Sequence, residues 1–123
     1  MPKIGTDLAV PDDALDALMD AYEAAPVPHA LFGHLGDNHL HLNLLPRTES
    51  ELEQSRQFYQ ALARQAVAAG GTVSAEHGIG KIKRDYLEMM VGLDTLTSFR
   101  ALKQHLDPAW VLGRGTLMTR DGA

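Results

Sequence analysis

Hydrophobic and polar residues alternate along residues 3–10 and 39–45, which is the pattern of a strand with one packed face. Residues 29–33 form a short apolar stretch after two prolines, and residues 72–77 lie between glycines. We predict a strand in each of these four segments. Between residues 33 and 39, the sequence Gly-Asp-Asn favours a tight turn, so the second and third strands should form a hairpin.

Apolar residues recur at helical spacing in four other segments. Pro11 and two aspartates begin the first helix, which should end before Pro26. The long second helix begins at a capping box, formed by Thr48 with Glu51 or by the pair two residues later. The predicted helices cover residues 11–25, 48–69, 83–91 and 94–106.

The first six elements run in the order strand, helix, strand, strand, helix, strand. This order predicts an α+β fold of the ferredoxin-like type, a split βαβ antiparallel sheet, with two additional C-terminal helices. A chain of 123 residues has the size of one domain.

Composition excludes several classes of function. Eleven basic residues against sixteen acidic ones give a formal charge of -5, which argues against binding to nucleic acid. Cysteine is absent, so thiolate metal sites and cysteine nucleophiles are excluded. No apolar run approaches the ~20 residues of a membrane span, and the first residues lack the apolar core of a signal peptide. We expect a cytoplasmic protein without a membrane span.

Three of the six histidines, His34, His39 and His41, fall within eight residues on the predicted hairpin. If the turn centres on residues 37 and 38, His34 lies directly opposite His41. Opposed side chains on a sheet are about 4.5–5.5 Å apart, so these two imidazoles could bind one metal ion. Leucines occupy the other face of the same hairpin.

Glu76 on the fourth strand is a candidate third ligand, roughly 10 Å from His41 by sheet spacing. The strand between them presents Gly5, Asp7 and Ala9, whose small side chains would leave room for longer ones to converge. Two histidines and a carboxylate suit a catalytic divalent ion. A half-exposed sheet that carries polar residues for solubility, with a plain turn after residue 75, remains the alternative. His29 and His105, taken singly, we expect to be structural or solvated.

Three segments resemble known motifs. They are TDLAVP at residues 6–11, GHLGDNHLHLN at residues 33–43 and GGTVSAEHGIGK at residues 70–81. In this order they resemble the carboxy-terminal domain of the FAD-linked oxidases of the vanillyl-alcohol oxidase superfamily. The matching branch contains D-lactate dehydrogenase, glycolate oxidase and D-2-hydroxyglutarate dehydrogenase, and the resemblance spans nearly the whole chain.

The resemblance implies a role for each matching residue. His34, His41 and Glu76 match the ligands of a divalent metal, which could be zinc, manganese or iron. His77 matches the catalytic base that takes the proton from the substrate hydroxyl while hydride passes to the flavin. Asn43 matches a position that faces the substrate, a small 2-hydroxy acid.

The sequence departs from the family pattern in three places. Asn38 and His39 stand where the family has Gly-Asn, so His39 could be an added ligand or could face solvent. Residues 112–116 differ from the family's closing motif near the flavin. The flavin-binding domain that precedes this domain in the family has no counterpart in the chain. We therefore expect residues 1–123 to be a partial C-terminal domain, with FAD bound only by a separate flavin domain.

These observations lead to two hypotheses of different classes. In the first, the chain is a C-terminal fragment or subunit of an FAD-dependent D-2-hydroxy-acid dehydrogenase and is inactive alone. It would associate through its histidine face with a flavin-binding domain or subunit, or with another copy of itself. In the second, it is a stand-alone ferredoxin-like module that binds a metal or ligand without redox activity.

Overall fold

The computed structural model describes residues 1–121, and they divide into two compact units on either side of the boundary between His77 and Gly78. The first unit contains a four-stranded sheet and two helices, and the second contains two helices. The strands are β1 (Ile4–Gly5), β2 (Leu8–Ala9), β3 (His29–His34) and β4 (His39–Leu44). The helices are α1 (Leu15–Glu23), α2 (Glu49–Ala68), α3 (Arg84–Val91) and α4 (Leu93–Leu106). The predicted α+β fold is confirmed.

Strand β4 lies at the centre of the sheet and pairs antiparallel with every other strand. Strand β3 runs along one side of β4, and β1 and β2 share the other side. On its other edge, β2 pairs only through an isolated antiparallel bridge between Ala9 and Thr72. This lateral order is that of the split βαβ arrangement, but the fourth strand predicted over residues 72–77 is wrong beyond its first residue.

The first predicted strand is divided in two at Thr6 and Asp7, for a reason that lies in the Thr6 side chain. The Thr6 amide donates to the Leu42 carbonyl at 3.0 Å, as in a regular ladder. The Leu42 amide, however, donates to the Thr6 hydroxyl oxygen, also at 3.0 Å. The hydroxyl therefore takes the place of the backbone acceptor, and the Thr6 carbonyl turns toward another donor.

The core of the first unit lies on the apolar face of β4. Leu42 and Leu44 are fully buried, together with Leu18 and Tyr22 of α1 and the inner side of α2. The Tyr22 hydroxyl donates to the Leu40 carbonyl at 3.0 Å, so α1 is hydrogen-bonded to β4. Burial raises the pKa of Tyr22 to about 12. This side of β4 is therefore firmly packed.

Both ends of α2 follow the sequence prediction. The Thr48 hydroxyl accepts the Glu51 amide at 3.1 Å, which confirms Thr48 as the N-cap. The Glu51 carboxylate accepts the amide of Arg47, one residue before the cap. After the helix, Gly71 passes so close to β2 that a Cβ at this position would lie 2.2 Å from the Ala9 carbonyl oxygen. Only glycine permits this approach.

The second unit contains the two predicted C-terminal helices, which Gly92 separates with a φ of +79°. Helix α4 is followed by Asp107, whose carboxylate accepts from the Lys103 ammonium at 2.5 Å and from the Val111 and Leu112 amides. The Lys103 hydrogen bond, helped by these amides against partial desolvation, holds the pKa of Asp107 below its usual range. Among the described residues, no helix is long and apolar enough to cross a lipid bilayer.

Candidate metal centre

The β3–β4 hairpin pairs its histidines differently from the sequence prediction. His34 lies opposite His39, and His41 lies opposite Phe32. The predicted pairing of His34 with His41 is therefore wrong by two residues. The cause is the turn, in which a 3-10 helix over Leu35–Asp37 is capped by Asn38 with a φ of +51°. Because the shift is even, each side chain keeps its predicted face.

The first strand places small residues on the histidine face of the sheet, next to β4, as predicted. Ala9 pairs with His39, and Gly5 pairs with Asn43. A Cβ on Gly5 would lie 2.9 Å from the Asn43 side-chain oxygen, so glycine makes room for the amide. Asn43 shares the face of His39 and His41, since all three are odd-numbered residues of β4. Its oxygen accepts the Lys3 ammonium at 3.3 Å.

Thr6 fixes the orientation of His41. The Thr6 carbonyl oxygen lies 3.1 Å from His41 Nδ1. A carbonyl oxygen only accepts, so Nδ1 carries the proton in this contact and Nε2 is left at the other end of the ring. His41 is 5% exposed, and its Nε2 lies 2.9 Å from a carboxylate oxygen of Glu76. The break in the first strand therefore orients one imidazole of the cluster.

Asp7 organises the segment that replaces the fourth strand. Its buried carboxylate accepts the backbone amides of Glu76 and His77 at 3.2 and 3.1 Å and the Ser74 hydroxyl at 3.1 Å. It also lies 3.1 Å from His39 Nε2. The amides of Glu76 and His77, which in a strand would donate to a neighbouring strand, thus donate to one side chain. The segment therefore bends and does not extend as a strand. This bend places the Glu76 carboxylate 2.9 Å from His41 Nε2, much closer than the strand separation from which the sequence prediction was made.

The Glu76 carboxylate is the point on which four imidazoles converge. Its distances to ring nitrogens are 2.9 Å for His41, 3.1 Å for His77, 3.6 Å for His34 and 4.0 Å for His39. One ligand atom each from His39, His41 and Glu76 lies within 4.8 Å of the other two, a spacing that a metal ion could bridge. We call His34, His39, His41, Glu76 and His77 the histidine cluster.

The surroundings of Glu76 favour its charged form. Partial desolvation raises the pKa of the carboxyl, but the hydrogen bond from His41 acts in the opposite direction. The positive charge available at His34 and His39, with the hydrogen bond from His77, adds to this effect. The net result is a Glu76 pKa below its ordinary value, so the cluster holds an anionic oxygen ligand.

The cluster has an inner and an outer part. His39 and His41 are 4% and 5% exposed, and their rings lie 4.4 Å apart in an edge arrangement. The side chains of His34 and His77 are 58% and 61% exposed, and His77 stacks on His41 at 4.9 Å. An open cavity of about 380 Å³ adjoins the cluster, with lining residues Ala9, His34, Asp37, His39, Thr72, Ala75 and Glu76. A small ligand can therefore reach the exposed side.

The structure brings four of the five predicted site residues into contact range: His34, His41, Glu76 and His77. Asn43 lies on the same face of β4, beyond His41. His29 and His105 are exposed, on β3 and on α4 respectively. The sequence did not predict that Thr6 orients His41 or that Asp7 binds the amides of Glu76 and His77. An aspartate within an alternating apolar strand, on the face predicted to carry histidines, was the available signal for Asp7.

Known proteins match this chain over most of its length. The family model of the FAD linked oxidases, C-terminal domain, matches residues 3–117. The glycolate oxidase subunit GlcD of Bacillus subtilis is 35% identical over 73% of the chain and 20% of that protein. The mitochondrial D-lactate dehydrogenase [cytochrome] of Kluyveromyces lactis is 36% identical over 87% of the chain and 19% of its own length.

A third relative is the D-2-hydroxyglutarate dehydrogenase of Xanthomonas citri pv. viticola, 36% identical over 81% of the chain and 22% of that protein. The chain thus spans about a fifth of the length of the curated relatives it matches. The family model covers the sheet, all four helices and the whole histidine cluster. The chain therefore belongs to the family of FAD-linked oxidase C-terminal domains.

Proposed function

We propose that this chain is the metal-binding and proton-accepting part of an FAD-dependent D-2-hydroxy-acid dehydrogenase of the D-lactate, glycolate or 2-hydroxyglutarate type. It would act as a C-terminal fragment or subunit. The observation that carries this proposal is the convergence of His34, His41 and Glu76 beside His77 in a member of this family.

The donor set supports a divalent ion. His34, His41 and Glu76 would hold it, and imidazole with carboxylate suits zinc, manganese or iron. The two nitrogens lie 3.6 and 2.9 Å from Glu76 oxygens, close to the ~3.0–3.4 Å expected between neighbouring ligand atoms at metal distances of ~2.1 Å. A bound ion supplies Lewis acidity that favours ionisation of a substrate hydroxyl.

His77 is the proposed base. Imidazole is the side chain that takes and releases protons near neutral pH. The His77 ring is mostly exposed, and its Nε2 lies 3.1 Å from Glu76, so the ring is held at the ligand-accessible side of the cluster. Its stacking on the fixed ring of His41 restricts its orientation. His77 would accept the hydroxyl proton while FAD, held by a separate flavin domain, takes the hydride.

Asn43 is the proposed substrate-binding residue. Its amide lies over Gly5 on the histidine face, and the Lys3 ammonium donates to its oxygen. This contact leaves the amide N–H groups of Asn43 as donors for a carboxylate or hydroxyl oxygen of a small 2-hydroxy acid.

A flavin-binding domain or subunit is the proposed partner, with a second copy of the chain as the alternative. Exposed apolar side chains adjoin the histidine cluster on the hairpin, since Phe32 is 55% and Leu35 is 64% exposed. Apolar surface next to a site is typical of a region that another domain covers. A cytoplasmic location stays a prediction.

The test combines the chain with a flavin domain from a relative such as GlcD and follows dye reduction with D-lactate, glycolate and D-2-hydroxyglutarate. We expect turnover only in the combined sample, and its loss in His77→Gln with the metal content unchanged. The exposed His29→Gln serves as the matched control. Absence of turnover in the combined sample, with metal bound, would favour the stand-alone module. Full turnover in His77→Gln would reject the proposed base.

A further inference from the structure

His39 stands in the histidine cluster with a contact pattern of its own. It is 4% exposed and pairs with His34 on one side and Ala9 on the other. One ring nitrogen, Nε2, lies 3.1 Å from an oxygen of Asp7. The other, Nδ1, lies 4.0 Å from an oxygen of Glu76. His39 is therefore buried between two carboxylates, and the solvent-facing alternative is excluded.

The contacts of Asp7 determine which nitrogen of His39 carries the proton. Its two oxygens accept the backbone amides of Glu76 and His77 and the Ser74 hydroxyl. A carboxylate with so many donors is ionised and only accepts, so His39 Nε2 donates to it. In the neutral ring, Nδ1 then keeps a lone pair. A carboxylate that holds the remote nitrogen of an imidazole in this way is the usual support of a metal-binding histidine.

The same reasoning applies to His41, whose Nδ1 donates to the Thr6 carbonyl. In the neutral rings, the lone pairs of His39 Nδ1 and His41 Nε2 are thus directed toward the Glu76 carboxylate, and either a second proton on the ring, as in the hydrogen bond from His41 to Glu76, or a cation is needed between them. Acceptors facing one another without a donor repel, and this is costly at His39 and His41, which are buried. A cation placed among them removes the repulsion, and the ligand atoms of all three residues lie within 4.8 Å of one another.

We propose that His39 Nδ1 is a fourth protein ligand of the divalent ion, together with His34, His41 and Glu76. This inference rests on the metal site of the proposed function and adds a ligand to it. Neighbouring ligand atoms of a six-coordinate ion are separated by ~3.0 Å and opposite ones by ~4.2 Å at metal distances of ~2.1 Å. The distances from Glu76 to the three imidazoles, 2.9, 3.6 and 4.0 Å, fall in or near this range.

A fourth ligand changes which metal can serve a reaction. Four protein ligands complete the tetrahedral shell that zinc prefers and leave no position for a substrate. A six-coordinate ion such as manganese or ferrous iron keeps two positions open with the same four ligands. The inference therefore assigns the site to an ion of the six-coordinate class.

The first experiment titrates Co²⁺ into the metal-free 123-residue chain and measures affinity by calorimetry and by cobalt absorption. His39→Asn should bind at least about 10-fold more weakly, because even loss of an outer partner of a metal ligand costs about 10–100-fold. His29→Asn, an exposed histidine of the same hairpin, should bind like the parent chain. Equal affinity of His39→Asn and the parent chain would overturn the proposal.

The second experiment needs no variant and therefore does not depend on the folding of His39→Asn. Long-range ¹H–¹⁵N spectra of the histidine rings identify the protonated nitrogen and the metal-bound one. We expect His39 to carry its proton on Nε2 and its Nδ1 resonance to shift when diamagnetic Zn²⁺ is added. A His39 ring that is unchanged while His34 and His41 respond would overturn the proposal, as would a chain that binds no metal.

These outcomes are separate from those of the proposed function. Metal binding through His39 without any turnover in the presence of a flavin domain would reject the dehydrogenase and keep the fourth ligand. Turnover with a His39 ring that does not respond to metal would reject the fourth ligand and keep the dehydrogenase.

Discussion

The inner and outer histidines of the cluster differ in what holds them. His39 and His41, the inner pair on β4, are almost fully buried. One ring nitrogen of His39 contacts the Asp7 carboxylate, and one ring nitrogen of His41 contacts the Thr6 carbonyl. His34 and His77, the outer pair, are more than half exposed and contact the Glu76 carboxylate. The fold thus fixes both ring orientations of the inner pair, whereas the outer pair is held only through Glu76 and ring contacts and can adjust to a ligand.

This difference assigns separate tasks to the two pairs. A buried imidazole with fixed proton positions is a preorganised ligand, because little rotational freedom is lost when a cation binds. An exposed imidazole can move a proton to or from a small molecule that enters the open cavity. Substitutions should therefore affect stability mainly at the inner pair and its acceptors, and chemistry mainly at the outer pair.

The largest effect is expected from Asp7→Ala. This change removes the acceptor of His39, of Ser74 and of the two amides at Glu76 and His77. The free energy of unfolding should fall by about 3–5 kcal/mol, as when one partner of a buried charged contact is deleted. Urea denaturation in the presence of a chelator measures this. Asp20→Ala, on the exposed side of α1, should stay within about 0.5 kcal/mol. Equal losses in both variants would contradict the organising role of Asp7.

The opposite face of β4 is tested by raising the pH. The Tyr22 pKa is raised from 10.0 to about 12, so above pH 10 the unfolded chain loses this proton before the folded chain does. The unfolded state then binds fewer protons, and the free energy of unfolding should fall by about 2 kcal/mol between pH 10 and pH 12. Tyr22→Phe keeps the buried ring and should lack this component of the pH dependence. Identical alkaline slopes for the two chains would reject it.

His41→Ala tests the inner pair directly. The change leaves the Thr6 carbonyl without its imidazole donor in a buried position. An unsatisfied buried group costs about 1–3 kcal/mol, and the metal-free chain should lose stability by this amount. His29→Ala, an exposed position at the other end of the hairpin, is the control and should change little. A metal-free His41→Ala chain as stable as the control would remove the distinction between inner and outer pairs.

The sequence predicted the faces of the strands better than their pairing. Alternation alone put His39, His41 and Asn43 on one face and the leucines on the other, and the structure confirms this. The pairing of His34 depended on the length of the turn, and residues 35–38, a 3-10 helix with its cap Asn38, separate His34 from its partner His39. Local turn geometry is not encoded in alternation, so the pairing could not be derived from it.

The fourth strand was mispredicted because its amides have a side chain as their partner. Periodicity indicates which residues are buried, but it does not reveal that Asp7 accepts the amides of Glu76 and His77. The position of Glu76 beside His41 therefore followed from the family resemblance and from three-dimensional contacts, and not from sheet spacing. Likewise, the role of Thr6 depends on one hydroxyl that replaces a backbone acceptor.

The smallest effect on folding is expected from His34→Ala, which removes a histidine of the outer pair. The His34 side chain is 58% exposed, so its removal should change the stability of the metal-free chain by less than about 0.5 kcal/mol. With manganese added, however, the free energy of unfolding of the parent chain rises by RT ln(1 + [metal]/Kd), about 2.7 kcal/mol at 100 times Kd. The variant should gain less, because it has lost a proposed ligand. Thermal unfolding with and without manganese separates the two contributions. A loss of the same size in both conditions would mean that His34 supports the fold, and the outer pair would then resemble the inner one.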